Sequence, residues 1–137
     1  MDNADSPDPS SRTDPTLRID LSWLLMVAEH QMPGDPQVTD WGALVAAVSR
    51  HEAEIFGTPV YTDPYSRAAA LLQSLLHVPA LERSNAMYAS AVAYGYLVAS
   101  GLKVVTSPEQ VRDLAKLVKD GRADVHHIAE QLRGWSH

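Results

Sequence analysis

The chain contains no cysteine. That excludes a disulfide framework and any zinc or iron–sulfur site built on thiolates. It also lacks the short signatures that announce common chemistries. There is no GxxxxGK[ST] phosphate loop, no GxGxxG dinucleotide turn, no GxSxG elbow and no HExxH zinc helix. Basic residues are few: 11 Lys and Arg stand against 17 Asp and Glu, a formal charge of −6. Without a basic face, unspecific binding to nucleic acid is not expected. The first residues, MDNADSPDPSSRTDPT, have neither the basic start nor the apolar stretch of a secretory signal. They bury too little apolar surface to offset their ordering entropy, so residues 1–16 read as a disordered acidic tail. Residues 17–137 read as one domain, long enough to bury a core. A cytoplasmic protein is the expectation.

Charge is missing from one long segment, Ser84 to Leu102, flanked by Arg83 and Lys103. The length would span a bilayer. Its Ala, Ser, Gly and Tyr content points instead to a central helix packed on all sides. Five other helices are legible. Asp20 caps the first, which runs to Gln31 with Leu21, Leu24, Leu25 and Ala28 on one face. The second spans Asp40 to Ile55 with Trp41, Leu44, Val45 and Val48 inward. TPVYTDP, residues 58–64, suits a small hairpin or flap. Asp63-Pro64 starts the third helix, which ends at His77 and turns Ala68, Leu71, Leu72, Leu75 and Leu76 inward. Ser107-Pro108-Glu109 starts the fifth helix. Asp124 caps the last, with Val125, Ile128, Ala129 and Leu132 inward. The fold class is all-α: a compact helical bundle of about six helices with a short β-flap.

The chain has 6 histidines, and most of their positions do not converge. His126 and Glu130 are four apart and suit a surface ion pair, and a third metal ligand is missing there. The segment LHVPALERSNA, residues 76–86, differs. His77 ends one helix, and Asn85 opens the next across a short loop carrying Glu82, Arg83 and Ser84. The plain reading is a histidine at the negative end of a helix, followed by loop and N-cap residues. The functional reading sets a general base beside the free N–H groups of a helix N-terminus, which bind anions.

Beyond this loop the order is VASG, then LKVV, then TSPEQVRDLAKLV, then KDGRADVHHIAEQL. In that order, from about Leu17 to Trp135, the chain resembles the Fic/Doc (Fido) family, and most of all its short death-on-curing branch. The family's motif is a variant of HxFx[DE][GA]N[KG]R between two central helices. Here His77 and Asn85 are eight positions apart rather than six, so the loop reads as two residues longer. The resemblance makes His77 the catalytic base and Glu82 the metal contact, with Arg83, Ser84 and Asn85 as nucleotide-phosphate contacts. It implies ATP or another nucleotide with Mg²⁺, and transfer of AMP or phosphate to a protein hydroxyl. It further implies a toxin of a toxin–antitoxin pair, neutralised by a cognate antitoxin, with a protein target such as a translation factor. No [ST]xxxE[GN] inhibitory helix is present. Ser84 replaces the small residue before Asn, and Met87 replaces the motif's Arg. These departures support an alternative: a catalytically silent Fido-fold protein that binds a nucleotide or a partner protein.

Overall fold

The computed structural model describes residues 17–136, and the 1–16 segment expected to be a tail lies outside the described residues. Six helices account for most of it: α1 (Leu21–Gln31), α2 (Trp41–His51), α3 (Pro64–His77), α4 (Asn85–Ala99), α5 (Pro108–Lys119) and α6 (Val125–Gly134). Between α2 and α3 lie two short strands, β1 (Glu54–Ile55) and β2 (Thr58–Pro59), paired antiparallel. The all-α architecture with a small flap is therefore present. No helix among the described residues is long and apolar enough to cross a membrane.

Side-chain oxygens fix most helix starts. Asp20, Asp40, Asp63 and Asp124 each accept from a backbone N–H three positions on. Ser107 and Gln110 form a reciprocal capping box. Proline at the first position of α3 and α5 removes an N–H that would have no helical partner.

α3 is the axis of the bundle. It packs on α2, α4, α5 and α6. Ala68, Leu71, Leu72, Leu75 and Leu76 are buried as expected, and Arg67, Ala69 and Ala70 are buried too. Leu72, Leu75, Val92 and Leu97 share the α3–α4 core. The expectation of a helix buried on all sides thus fits α3 better than α4. Met87, Tyr94 and Val98 leave one apolar face of α4 exposed.

Two expectations for α2 are corrected. The helix stops at His51 rather than Ile55, because Glu54 and Ile55 pair with Pro59 and Thr58 instead. The turn between them places Phe56 and Gly57 at positive φ, 51° and 80°, the backbone hand that joins two twisted strands tightly. The buried face is also rotated. Ala43, Leu44, Ala47 and His51 point inward, while Trp41 and Val45 are exposed. Burying small alanines lets α2 lie close against α3, and the larger side chains take the outer face. On α6, Glu130 pairs with Arg133 one turn on, in place of the expected His126–Glu130 pair.

Candidate functional site

The loop from Val78 to Ser84 is fastened to the segment after α1. The N–H groups of Thr39 and Asp40 donate to the Ala80 carbonyl, at 2.8 and 3.1 Å. Val38 and Leu81 form an antiparallel bridge, and the Glu82 N–H donates to the Gln37 carbonyl at 2.9 Å. Leu81 is buried in the core and anchors the loop from below.

The predicted site residues divide on this frame. The Glu82 Oε2 accepts from the Gln37 N–H at 2.6 Å and lies 3.2 Å from Arg83 Nη1. Arg83 donates from Nη2 to the Gly34 carbonyl at 2.8 Å. Gly34 has φ +77°, and a Cβ there would come within 2.6 Å of the Arg83 guanidinium. Both charged side chains therefore serve the Gly34–Gln37 contact. Asn85 is turned back into its own loop. Its Oδ1 accepts from the N–H groups of Ala80 and Leu81, at 3.1 and 2.9 Å, and its Nδ2 donates to the Leu81 carbonyl at 2.9 Å. Its Oδ1 and one N–H of its Nδ2 thus hold a tight turn at the buried residues Ala80 and Leu81.

His77 is exposed at the end of α3, and its Nε2 lies 2.9 Å from the Val118 carbonyl in the last turn of α5. A carbonyl only accepts, so Nε2 is the protonated nitrogen and donates. His77 thus ties the ends of α3 and α5 together.

An open cleft of about 370 Å³ lies at the head of α4, lined by Leu76, Pro79, Ser84, Asn85, Ala86 and Lys119. Ser84 adopts φ 64° and makes no side-chain cap, so the first turn of α4 starts without a capping oxygen. Uncapped N–H groups at a helix start attract anions. Lys119, the last residue of α5, lines the same cleft. Of the expected set, Ser84 and Asn85 line this cleft, whereas His77, Glu82 and Arg83 do not. Sequence reasoning missed Lys119 and Pro79. Lys119 is 34 positions from Asn85, and no local pattern links them. Pro79 had a signal: it stands six positions before Asn85, the spacing of the motif's His.

No family model matches the chain. Over 123 residues it is 34% identical to Toxin Doc of Mycolicibacterium smegmatis, an alignment that covers 88% of this chain and 95% of that protein. Together with the six-helix bundle and its flap, that decides the family.

The chain belongs to the Doc family.

Within this Doc-family fold the motif's departures have definite places. Met87, where the motif has Arg, is exposed on the first turn of α4. Ser84, where the motif has Gly or Ala, supplies the positive-φ residue at the helix start. Such a φ is uncommon for a residue with a Cβ.

Proposed function

We propose that this Doc-family protein is the toxin-side member of a toxin–antitoxin pair, and that its cleft binds a phosphate-bearing ligand without transferring a group from it. A nucleotide is the ligand class that the family resemblance implies. The observation that carries the reading is the cleft's lining: Leu76, Pro79, Ser84, Asn85, Ala86 and Lys119 include neither an imidazole nor a carboxylate. A general base must stand within hydrogen-bond reach of the proton it removes. His77 donates its Nε2–H to the Val118 carbonyl, which leaves Nδ1 as its basic nitrogen, and the residue is not part of that lining.

Counting back from Asn85 without a gap supports the same reading. The motif's Phe then falls on Leu81, its acidic residue on Arg83, and its His on Pro79. Leu81 is buried as an anchoring Phe would be, and Pro79 lines the cleft as a base would. In this register the loop has the family's length, and its two catalytic side chains have been replaced by a proline and an arginine.

An uncapped helix start and a lysine among the lining residues support the phosphate part of a nucleotide as the ligand. The divalent cation implied for Glu82 does not fit. The Glu82 Oε2 is held by the Gln37 N–H and Arg83, and Glu82 is not part of the cleft's lining. No group of three or more His, Asp or Glu suited to a metal occurs among the described residues.

Binding of ATP should therefore be the same in excess Mg²⁺ and in EDTA. Lys119→Ala should weaken it by about tenfold or more, the worth of one charge-assisted contact. Isothermal titration on the full chain measures both. Binding that needs Mg²⁺, or that ignores Lys119→Ala, would overturn the cation-free cleft.

A further inference from the structure

Residues 17–20 lead into α1 as a strap held by hydrogen bonds to α2, α3 and α4. The Leu17 carbonyl accepts from the Tyr96 hydroxyl of α4 and from Arg67 Nη1 of α3. Arg18 pairs with Glu54 at 2.8 Å on the surface. Ile19 is buried, and its N–H donates to Nε2 of His51 at 3.1 Å. Asp20 then caps α1.

His51 is fully buried at the end of α2, and its Nδ1 meets the Val48 carbonyl. A carbonyl partner makes Nδ1 the donor, so Nε2 has a lone pair and accepts from Ile19. Both ring nitrogens are used, and only the neutral ring satisfies both bonds. A proton added to Nε2 would face the Ile19 N–H, donor against donor. We infer that His51 makes the strap at residues 17–20 an acid-released latch, closed while the ring is neutral and opened when the ring gains a proton.

The surrounding charges agree. Burial holds the His51 pKa below its ordinary value, and the Arg67 guanidinium of α3 acts in the same direction. Glu52, next in the chain, and the carbonyls of Val48 and Ala47 act against it more weakly than burial. From α4, Tyr96 presents its ring edge-on at 6.1 Å. Arg50 is turned to Tyr61 and Ser74, and Arg18 and Glu54 neutralise each other. A histidine whose closed-state pKa lies below its open-state value favours opening as pH falls. The closed form is fully favoured above the open-state pKa, about 6.5. Below it, the closed-to-open ratio drops about tenfold per pH unit until the lowered closed-state pKa is reached.

Deuterium exchange on the full chain between pH 5 and 7.5 tests the latch. The protection factor of the Ile19 amide should fall by about tenfold per pH unit below pH 6.5, while core amides such as Val92 keep theirs. His51→Gln retains an acceptor and cannot titrate, so its Ile19 protection should not vary with pH. A flat Ile19 protection factor in the wild type would overturn the latch. So would parallel loss at Ile19 and Val92, which would mark global unfolding. If His51→Gln does not fold, ring NMR of the wild type decides. The latch requires an Nδ1–H tautomer that titrates below pH 6.5, and a ring titrating at or above that value contradicts it.

Discussion

Val92→Asp should leave no cooperatively folded domain. Val92 is fully buried on α4, within the core shared with α3. An ionised carboxylate there would lie within a hydrophobic core. Burying an unpaired charge costs several kcal/mol, a large part of the roughly 5–15 kcal/mol that holds a domain folded. Val98→Asp is the control, because Val98 lies half-exposed on the same helix. That change should cost less than about 1 kcal/mol. Circular dichroism during heating distinguishes them: no transition for Val92→Asp, and a nearly unchanged one for Val98→Asp. A sharp melt in Val92→Asp would mean that α4 does not pack on α3 as described.

Asn85→Ala should be nearly as damaging to the loop. It removes the partner of two N–H groups and of one carbonyl, on Ala80 and Leu81. Both residues are buried, so water cannot replace the lost bonds without opening the turn. Leaving a buried polar group unpaired costs about 1–3 kcal/mol each, and a net loss of about 2–4 kcal/mol is expected after the turn relaxes. Urea unfolding at unchanged slope would record it as a lower midpoint. Asn85→Asp keeps the acceptor for both N–H groups but sets a carboxylate against the Leu81 carbonyl, so its loss should fall between wild type and Asn85→Ala. If Asn85→Ala unfolds at the wild-type midpoint, the amide is not the loop's brace. The phosphate contact expected for it in the sequence would then be the better account.

The same residue shows where sequence reading stops. Asp20, Asp63 and Asp124 were legible as caps and Ser107 as a helix start, because a cap is a contact between neighbours three positions apart. The inward stripes of α3 and α6 were legible for a similar reason, since helical period and side-chain size agree there. On α2 they disagree. Period alone admits Trp41 and Val45 as core, yet close packing on α3 favours Ala43 and Ala47. The flap's strands are two residues long, too short for an alternation pattern, and so α2 was extended through them. In the loop, residue type suggested chemistry, but the partners decide the role. Glu82 meets Gln37, Arg83 meets Gly34, and His77 meets Val118, each contact spanning 41 to 49 positions. No local spacing encodes those contacts. His51 is a further case, since nothing around it in the sequence indicates that Ile19 is its partner.

His77→Ala separates the two chemical readings of the cleft. The change removes one hydrogen bond between the ends of α3 and α5, worth about 0.5–1.5 kcal/mol, so the folded protein remains available for assay. The decisive measurement is transfer of label to protein from ATP carrying the label in its α- or γ-phosphate, with wild type and His77→Ala each purified free of any antitoxin and incubated with a bacterial extract. A cleft without a base predicts no label on protein above a heat-denatured control for either form and from either position. Label transferred by the wild type and lost in His77→Ala would contradict the account and restore His77 as the base.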